Sequence, residues 1–253
     1  MGEIKDKEKI AELCGAIIGD GWIQSNEKGL FLAGDQVEDK DYYDFRISKL
    51  ISDLFVKVKP RSFPYWRVYG ISIYKKRIIK RFLDLDLPKG PKSFSAKIPK
   101  WILNSNKSIL KSFVRGLFDT DGSIFFQKDY TKYANKFNAK YHVKARINFS
   151  SISFNLQEQL KKVLDRLGYR STFRSLRKGL SKNRNNNDVH IVRINEIKGV
   201  HRFFKEIIPG NPKHTTRYLV WKKFGFCPPY TNINQRKDIL KKKLNPYSLY
   251  KQG

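Results

Sequence analysis

The chain has 253 residues, with 52 Lys and Arg against 23 Asp and Glu, a formal net charge of +29. An apolar content of 40% supports a real core and excludes a disordered chain. No apolar run approaches the ~20 residues of a membrane-spanning helix, and no signal-peptide pattern opens the chain. Mixed-sign surfaces of small domains keep net charge to roughly 2–8, so this excess points to a polyanion, nucleic acid before an anionic membrane surface. The two cysteines, Cys14 and Cys227, lie far apart without CxxC spacing. That argues against a disulfide or a zinc site and for a reducing, cytoplasmic compartment.

The first predicted element is a helix, "LCGAIIGDGWI" (13–23), that ends on Gly-Asp-Gly. Extended segments follow at 22–24 and 29–34. Over 39–55, Tyr43, Ile47, Leu50, Ile51 and Leu54 recur at helical spacing. Two strand-like runs, "VKVKPRS" and "YWRVYGISIY", precede a basic helix over about 75–85 that "LPKGPK" stops. The order then repeats. "VRGLFDTDGSI" (114–124) leads into the strands "SIFFQK" and "YHVKARINF" and the helix "SFNLQEQLKKVLDRLG", with Gly168 placed to end it. Strands "RSTFRSLRK" and "DVHIVRIN" and a helix over about 197–207 complete the second unit. The reading is α+β, two αββαββα repeats at 1–104 and 105–230, with a basic tail at 231–253.

The two motif helices align with Gly15 on Gly116, Asp20 on Asp121 and Gly21 on Gly122. Gly15 and Gly19 share a helical face, as do Gly116 and Thr120, because residues four apart are neighbours. Small residues there let two helices approach backbone to backbone, and packing about a pseudo-twofold axis brings Asp20 to Asp121. Converging carboxylates repel unless a cation lies between them. Helix C-termini add exposed carbonyls and partial negative charge. Such an all-oxygen setting suits Mg²⁺ (or Mn²⁺), which borrows phosphate oxygens as further ligands. The chemistry expected is metal-assisted phosphodiester hydrolysis. For a single copy, Asp-Gly would be no more than a helix end and a turn; two copies favour the metal site.

In "AKYHVKARINF", Lys140, His142, Lys144, Arg146 and Asn148 alternate with apolar residues. This predicts a strand with one face on helices and one basic face. Arg174, Arg177, His190 and Arg193 extend that face in the second half, and Lys57, Lys59, Arg61 and Arg67 are the first-half set. Gln24 and Gln127 join them as polar contacts. A solvated sheet face normally mixes signs, whereas a polar ribbon of this kind can lie in a DNA major groove.

The paired motifs "LCGAIIGDG" and "VRGLFDTDG" resemble the signature helices of the LAGLIDADG homing endonucleases, over about residues 8–225. Two motifs in one chain resemble the monomeric, pseudo-symmetric members, including those encoded in archaeal introns. The resemblance implies saddle-shaped antiparallel sheets that grip a long, asymmetric double-stranded DNA site. It implies cleavage across the minor groove with short 3′ overhangs. Asp20 and Asp121 would hold divalent metals, aided by the backbone of Gly19 and Thr120. Asp119 would have no metal-ligand role. Lys92 of "PKGPK" and Lys213 of "PGNPK" would stand near the scissile phosphates, with Lys97 the rival in the first half. Gln36 would orient solvent, with Ser151 its weaker counterpart. Cys14 and Arg115 depart from the small second motif residue, and Arg115 is read as facing away from the helix pair. The alternatives are a non-cleaving DNA-binding protein or an RNA-splicing maturase of the same fold, the latter with intron RNA as partner, and an intein-derived domain. Intact Asp20 and Asp121 favour the enzyme.

Overall fold

The computed structural model describes residues 2–176 and 187–250. Helix α1 (Gly2–Asp20) and helix α5 (Lys107–Asp121) form its centre. From Ala11 to Ile18, α1 is buried on every side, as expected of a helix enclosed by protein all round. Asn106 caps the start of α5, accepting from the Ile109 amide at 3.1 Å. The two helices touch through glycine. A Cβ on Gly15 would lie 2.2 Å from the Phe113 carbonyl oxygen, and one on Gly116 only 1.9 Å from that of Glu12.

Each motif helix runs into a four-stranded antiparallel sheet. The first contains β1 (Gly21–Ile23), β2 (Leu30–Asp35), β3 (Arg61–Phe63) and β4 (Val68–Ile73), in the order β1-β2-β4-β3. Helices α2 (Ser48–Leu54) and α3 (Lys76–Asp84) pack on it. A single turn, α4 (Lys100–Leu103), leads to α5. The second sheet contains β5 (Gly122–Gln127), β6 (Lys144–Ser151), β7 (Thr172–Leu176) and β8 (Val189–Ile194), in the equivalent order β5-β6-β8-β7. Its helices are α7 (Phe154–Arg166) and α8 (Ile197–Glu206). Gly168, at φ +81°, follows α7 as the sequence predicts. The same element order and pairing in both halves confirm the two-repeat α+β architecture.

Several local expectations change. The predicted 39–55 helix contains a π-helical turn, Tyr42–Ile47, before α2, and both Tyr42 and Tyr43 are buried. Of "VKVKPRS", only Arg61 and Ser62 enter β3, so Lys57 and Lys59 lie on an irregular link that includes Pro60. Arg67 has φ 53° and closes the turn after Pro64–Trp66 rather than sitting in a strand. Lys140 ends a short helix, α6 (Lys136–Lys140), which Asn135 caps. His142 precedes β6 and contacts the Tyr250 hydroxyl through Nδ1 at 2.9 Å. The local reason is Tyr141, whose ring packs 4.6 Å from Phe226 and 4.8 Å from Tyr250 and so draws this stretch out of the sheet.

The predicted tail is packed structure as far as residue 250. Helix α9 (Pro212–Phe224) starts on the Asn211-Pro212 signal for a helix N-terminus. Helix α10 (Ile233–Leu240) opens with a capping box formed by Asn232 and Gln235. Arg236 of α10 is fully buried. It donates to the Thr216 hydroxyl at 3.0 Å, to the Thr231 carbonyl and to the Glu38 carboxylate of the first repeat.

Arg115 does not face away. Its Nη1 donates to Glu12 at 2.9 Å and its Nε to the Ile207 carbonyl at 2.6 Å. Glu12 is 1% exposed and is also held by Arg46, at 2.6 and 2.5 Å. A carboxylate this deep needs such partners, because an unpaired buried charge is strongly destabilising. The glycine seam is equally intolerant. Gly116→Ala is expected to cost about 2–3 kcal/mol, read as a lowered midpoint in urea unfolding.

Candidate metal and nucleic-acid site

Asp20 and Asp121 are the last residues of α1 and α5, so the helix crossing fixes where they meet. A Cβ on Gly19 would fall 2.1 Å from the Thr120 hydroxyl oxygen and 3.4 Å from the Asp121 carboxyl carbon. A glycine is therefore required one residue before Asp20 for Asp121 to come alongside. A third acid, Asp39, stands close by. A Cβ on Gly34 of β2 would lie 2.7 Å from Asp39 Oδ2 and 3.1 Å from Asp20 Oδ2. The Tyr43 hydroxyl donates to Asp20 Oδ2 at 3.2 Å.

This crowding has an electrostatic result. The Asp20 carboxyl is pushed up to about 7, first by loss of water and then by the charges of Asp121 and Asp39, while Lys213 and Tyr43 oppose the rise. Asp121 still touches solvent, yet the protein around it also raises its carboxyl, against the pull of Lys92 and Lys213. Two oxygen donors that resist ionising side by side fit a hard divalent cation. Among the described residues, no group of three or more His, Cys, Asp and Glu is arranged to hold a metal alone. Were a hard cation held by Asp20 and Asp121, water or phosphate oxygens would supply its remaining ligands.

The two predicted lysines differ. Lys92 turns its ammonium onto the end of α1, donating to the carbonyls of Ile17, Ile18 and Gly19 at 2.6, 2.5 and 2.5 Å. Burial lowers it to about 8, with Asp121 and Asp20 acting in the opposite direction. The Gly19 carbonyl is thus already engaged by a cation. Lys213 lies 3.3 Å from both oxygens of Asp39. Lys97 pairs with Asp86 at 3.3 Å, half-exposed at the surface. The Thr120 hydroxyl turns back to the Gly116 carbonyl at 3.0 Å. Asp119 is fully buried and accepts from the amides of Gly210 and Asn211 at 2.8 and 3.1 Å, a structural role. Gln36 reaches Ser62 of β3 at 3.4 Å instead of the acids. Ser151 bonds locally to the Ser153 amide at 3.1 Å.

The second sheet turns a polar face outward. Register places Ser123, Asn148 and Arg193 in one row, with Gln127 beside Lys144 and Arg174 beside Ile191. Arg193 donates to Asn148 at 3.1 Å. Its guanidinium is held below its ordinary value, first by burial and then by Arg146 and Arg174. These residues line a depression of ≈ 300 Å³. Three guanidiniums crowding a shared depression suit an anionic ligand. Lys144 is paired with Asp129 at 2.8 Å. His190 does not belong to this face. It alternates with Arg193, lies buried on the helix side and packs against Phe154. Arg177 falls outside the described residues.

The first sheet differs from expectation. Its open face carries Trp22, Phe31 and Phe63, joined by Trp66 and Tyr74. Of the predicted cations in this half, Arg61 is the one on a strand, while exposed Lys57, Lys59 and Arg67 sit beside the sheet. Gln24 is in the β1–β2 turn, where its amide donates to the Gly29 carbonyl at 2.9 Å. Sequence reasoning also missed Asp39, which no motif marks. The only signal was an acid before a helical run, the usual place for an N-cap.

Residues 108–208 match the LAGLIDADG-like domain. Over 211 residues the chain is 24% identical to a DNA polymerase of Thermococcus hydrothermalis, covering 79% of this chain and 11% of that one. Over 163 residues it is 31% identical to the replication factor C small subunit of Methanocaldococcus jannaschii, covering 64% and 8%. The chain thus spans about a tenth of the length of these relatives. Among solved structures, mesophilic variants of the homing endonuclease I-DmoI superpose with a TM-score of 0.52 at 18% identity, covering 80% of this chain and 96% of that one. I-DmoI in complex with DNA and Mn gives 0.51 at 18% identity, covering 80% and 97%. These structures share the fold. No helix among the described residues is long and apolar enough to cross a membrane.

The acid site predicts a pH signature. Asp20 titrates near 7 when folded and near its ordinary 3.8 when unfolded. The folded state therefore holds the extra proton between these values, and stability falls as pH rises through that window. In EDTA, Asp20→Asn is expected to melt at a higher temperature than wild type at pH 8, with the difference closing toward pH 4.

Proposed function

We propose that this chain, whose residues 108–208 match the LAGLIDADG-like domain and whose fold is that of I-DmoI, is a site-specific DNA endonuclease that cuts both strands of a long asymmetric target and leaves short 3′ overhangs. The observation that carries this reading is the meeting of Asp20 and Asp121 at the ends of paired helices, each followed directly by the first strand of its sheet. Two sheets on one pseudo-twofold axis can hold one duplex across the acids, so that each acid serves one strand. Mg²⁺ or Mn²⁺, when bound, supplies an activated water and stabilises the leaving oxygen.

The protein's own groups have separate tasks. Asp20 and Asp121 supply the anionic oxygens. Lys92 neutralises the C-terminal end of α1, where helix dipole and carboxylate would otherwise add. Lys213, fixed by Asp39, places a cation toward the phosphate. Asn211 holds Asp39 at 2.7 Å and the Asp119 carbonyl at 2.7 Å, tying the two halves at the site. Arg146, Arg174, Arg193 and Asn148 contact one half-site in the major groove, where Arg reads guanine and Asn reads adenine. We assign it to act as a monomer inside the cell. A second reading, a domain of this fold carried within a longer chain, is supported by the relatives, in which the matching stretch is a small part of each protein.

The test is cleavage of DNA that spans the intron-free insertion site of the host gene. Asp20→Asn and Asp121→Asn should each remove double-strand cleavage and retain binding in gel-shift assays. Asp39→Asn should reduce cleavage about 10–100-fold, the usual cost of losing a group that orients a metal site. Arg193→Ala should weaken duplex binding and lower the salt slope by about 1. Specific binding without cleavage in any divalent metal would instead establish a binding protein.

A further inference from the structure

The turn that carries Asp39 is gripped from outside its own repeat. Within the turn, Asp35 accepts from the amides of Val37 and Glu38 at 2.8 Å, and Asp39 accepts from the Asp35 amide at 2.9 Å. Further holds come from the chain that follows the second repeat. Asn211 and Lys213 take Asp39 itself. Glu38 accepts from the Ile233 amide at 2.8 Å and from Arg236. Lys237 pairs with Asp41 at 2.6 Å. Ile233 opens α10, so its amide lacks a partner inside the helix, and a carboxylate is favoured at that end. Arg236 is fully buried and is itself fixed by the Thr216 hydroxyl and the Thr231 carbonyl. Glu38 therefore rests on a fixed guanidinium fork, not on a solvated surface pair.

The grip reaches Asp20 in two ways. The carboxylates of Asp39 and Asp20 meet over Gly34, within 2.7 and 3.1 Å of the Cβ that glycine lacks. The Asp39 carbonyl also accepts from the Tyr43 amide at 3.1 Å, and the Tyr43 hydroxyl donates to Asp20. The second repeat is built otherwise. Ser153 stands where Asp39 does, directly before the first helical residue. Its hydroxyl accepts from the Leu156 amide at 3.2 Å and donates to the Ala96 carbonyl at 2.6 Å. It faces the chain that joins the repeats and brings no charge to Asp121.

We propose that α10 is a strut for one of the two acids. Arg236 and Lys237, through Glu38 and Asp41, hold Asp39 against Asp20, so the chain after the second repeat completes the half of the site that belongs to the first. Arg236 and Glu38 are positioning residues that act through Asp39. The proposal rests on the endonuclease reading, in which Asp20 serves one strand and Asp121 the other. Loosening the strut then slows one strand only.

The test follows each strand of an end-labelled duplex separately, with protein in excess. Glu38→Gln should slow one strand about tenfold and leave the other at the wild-type rate. Nicked duplex then accumulates while duplex affinity is unchanged. Lys237→Ala, which removes only a half-exposed pair, should give the same bias to a smaller degree. With Asp39 already replaced by Asn, Glu38→Gln should slow that strand by no more than about twofold further, because the two act in series. Hydrogen exchange at the amides of residues 36–41 should quicken in both single variants, with circular dichroism melts establishing that each is folded at the assay temperature. Equal slowing of both strands overturns the strut, as does full additivity with Asp39→Asn or unchanged exchange at 36–41. Absence of cleavage by the wild type overturns the endonuclease reading instead, and the exchange measurement still decides whether α10 holds the turn.

Discussion

The structure depends on how closely two helix backbones approach one another. Side chains are excluded from the crossing of α1 and α5 by carbonyl oxygens that would stand about two ångströms from any added carbon. That closeness fixes the angle and depth of both helix ends, and with them the positions of two acids and of the first strand in each sheet. The sheets do not have to find one another by long-range contact. They are carried into place by helices that already touch.

The same closeness sets up an electrostatic conflict, which the fold leaves partly unresolved. Negative helix ends, two carboxylates and a third from Asp39 converge, and the protein answers with two ammonium groups. One settles on the α1 carbonyls and the other on Asp39. Among the described residues, neither closes an ion pair with Asp20 or Asp121. The motif carboxylates are left with raised affinity for protons, the electrostatic setting that the proposed divalent ion would relieve. The scaffold holds its charge imbalance at the one place where the proposed chemistry needs it.

Much of this was legible in the chain. Glycines four residues apart, acids at matching offsets and a repeated element order specify the helix pair and the topology without reference to coordinates. Period-2 alternation located β6 to β8, but periodicity reports faces and not boundaries. The alternation of Lys140 and His142 continued past the point where Tyr141 leaves to pack on Phe226. For His190, charge type suggested the wrong face, and strand register decides it. Asp39 and the first-sheet aromatics were illegible for another reason. Their grouping arises from strands and turns far apart in sequence, and no local pattern encodes that proximity. The final segment misled through composition, since its lysines suggested a solvated tail while Arg236 anchors it inside.

The buried carboxylate on α1 has a consequence for descent. Counting back from the aligned glycines, Glu12 corresponds to Phe113 and Cys14 to Arg115. The contact between Glu12 and Arg115 therefore exists only when a first repeat meets a second. Two second repeats would place each guanidinium against a phenylalanine, and two first repeats would leave each carboxylate with Arg46 alone. If the chain arose by duplication of a self-pairing ancestor, this exchange made the halves complementary and no longer interchangeable. For the proposed endonuclease, an asymmetric target then becomes possible, because each half of the site always faces the same partner.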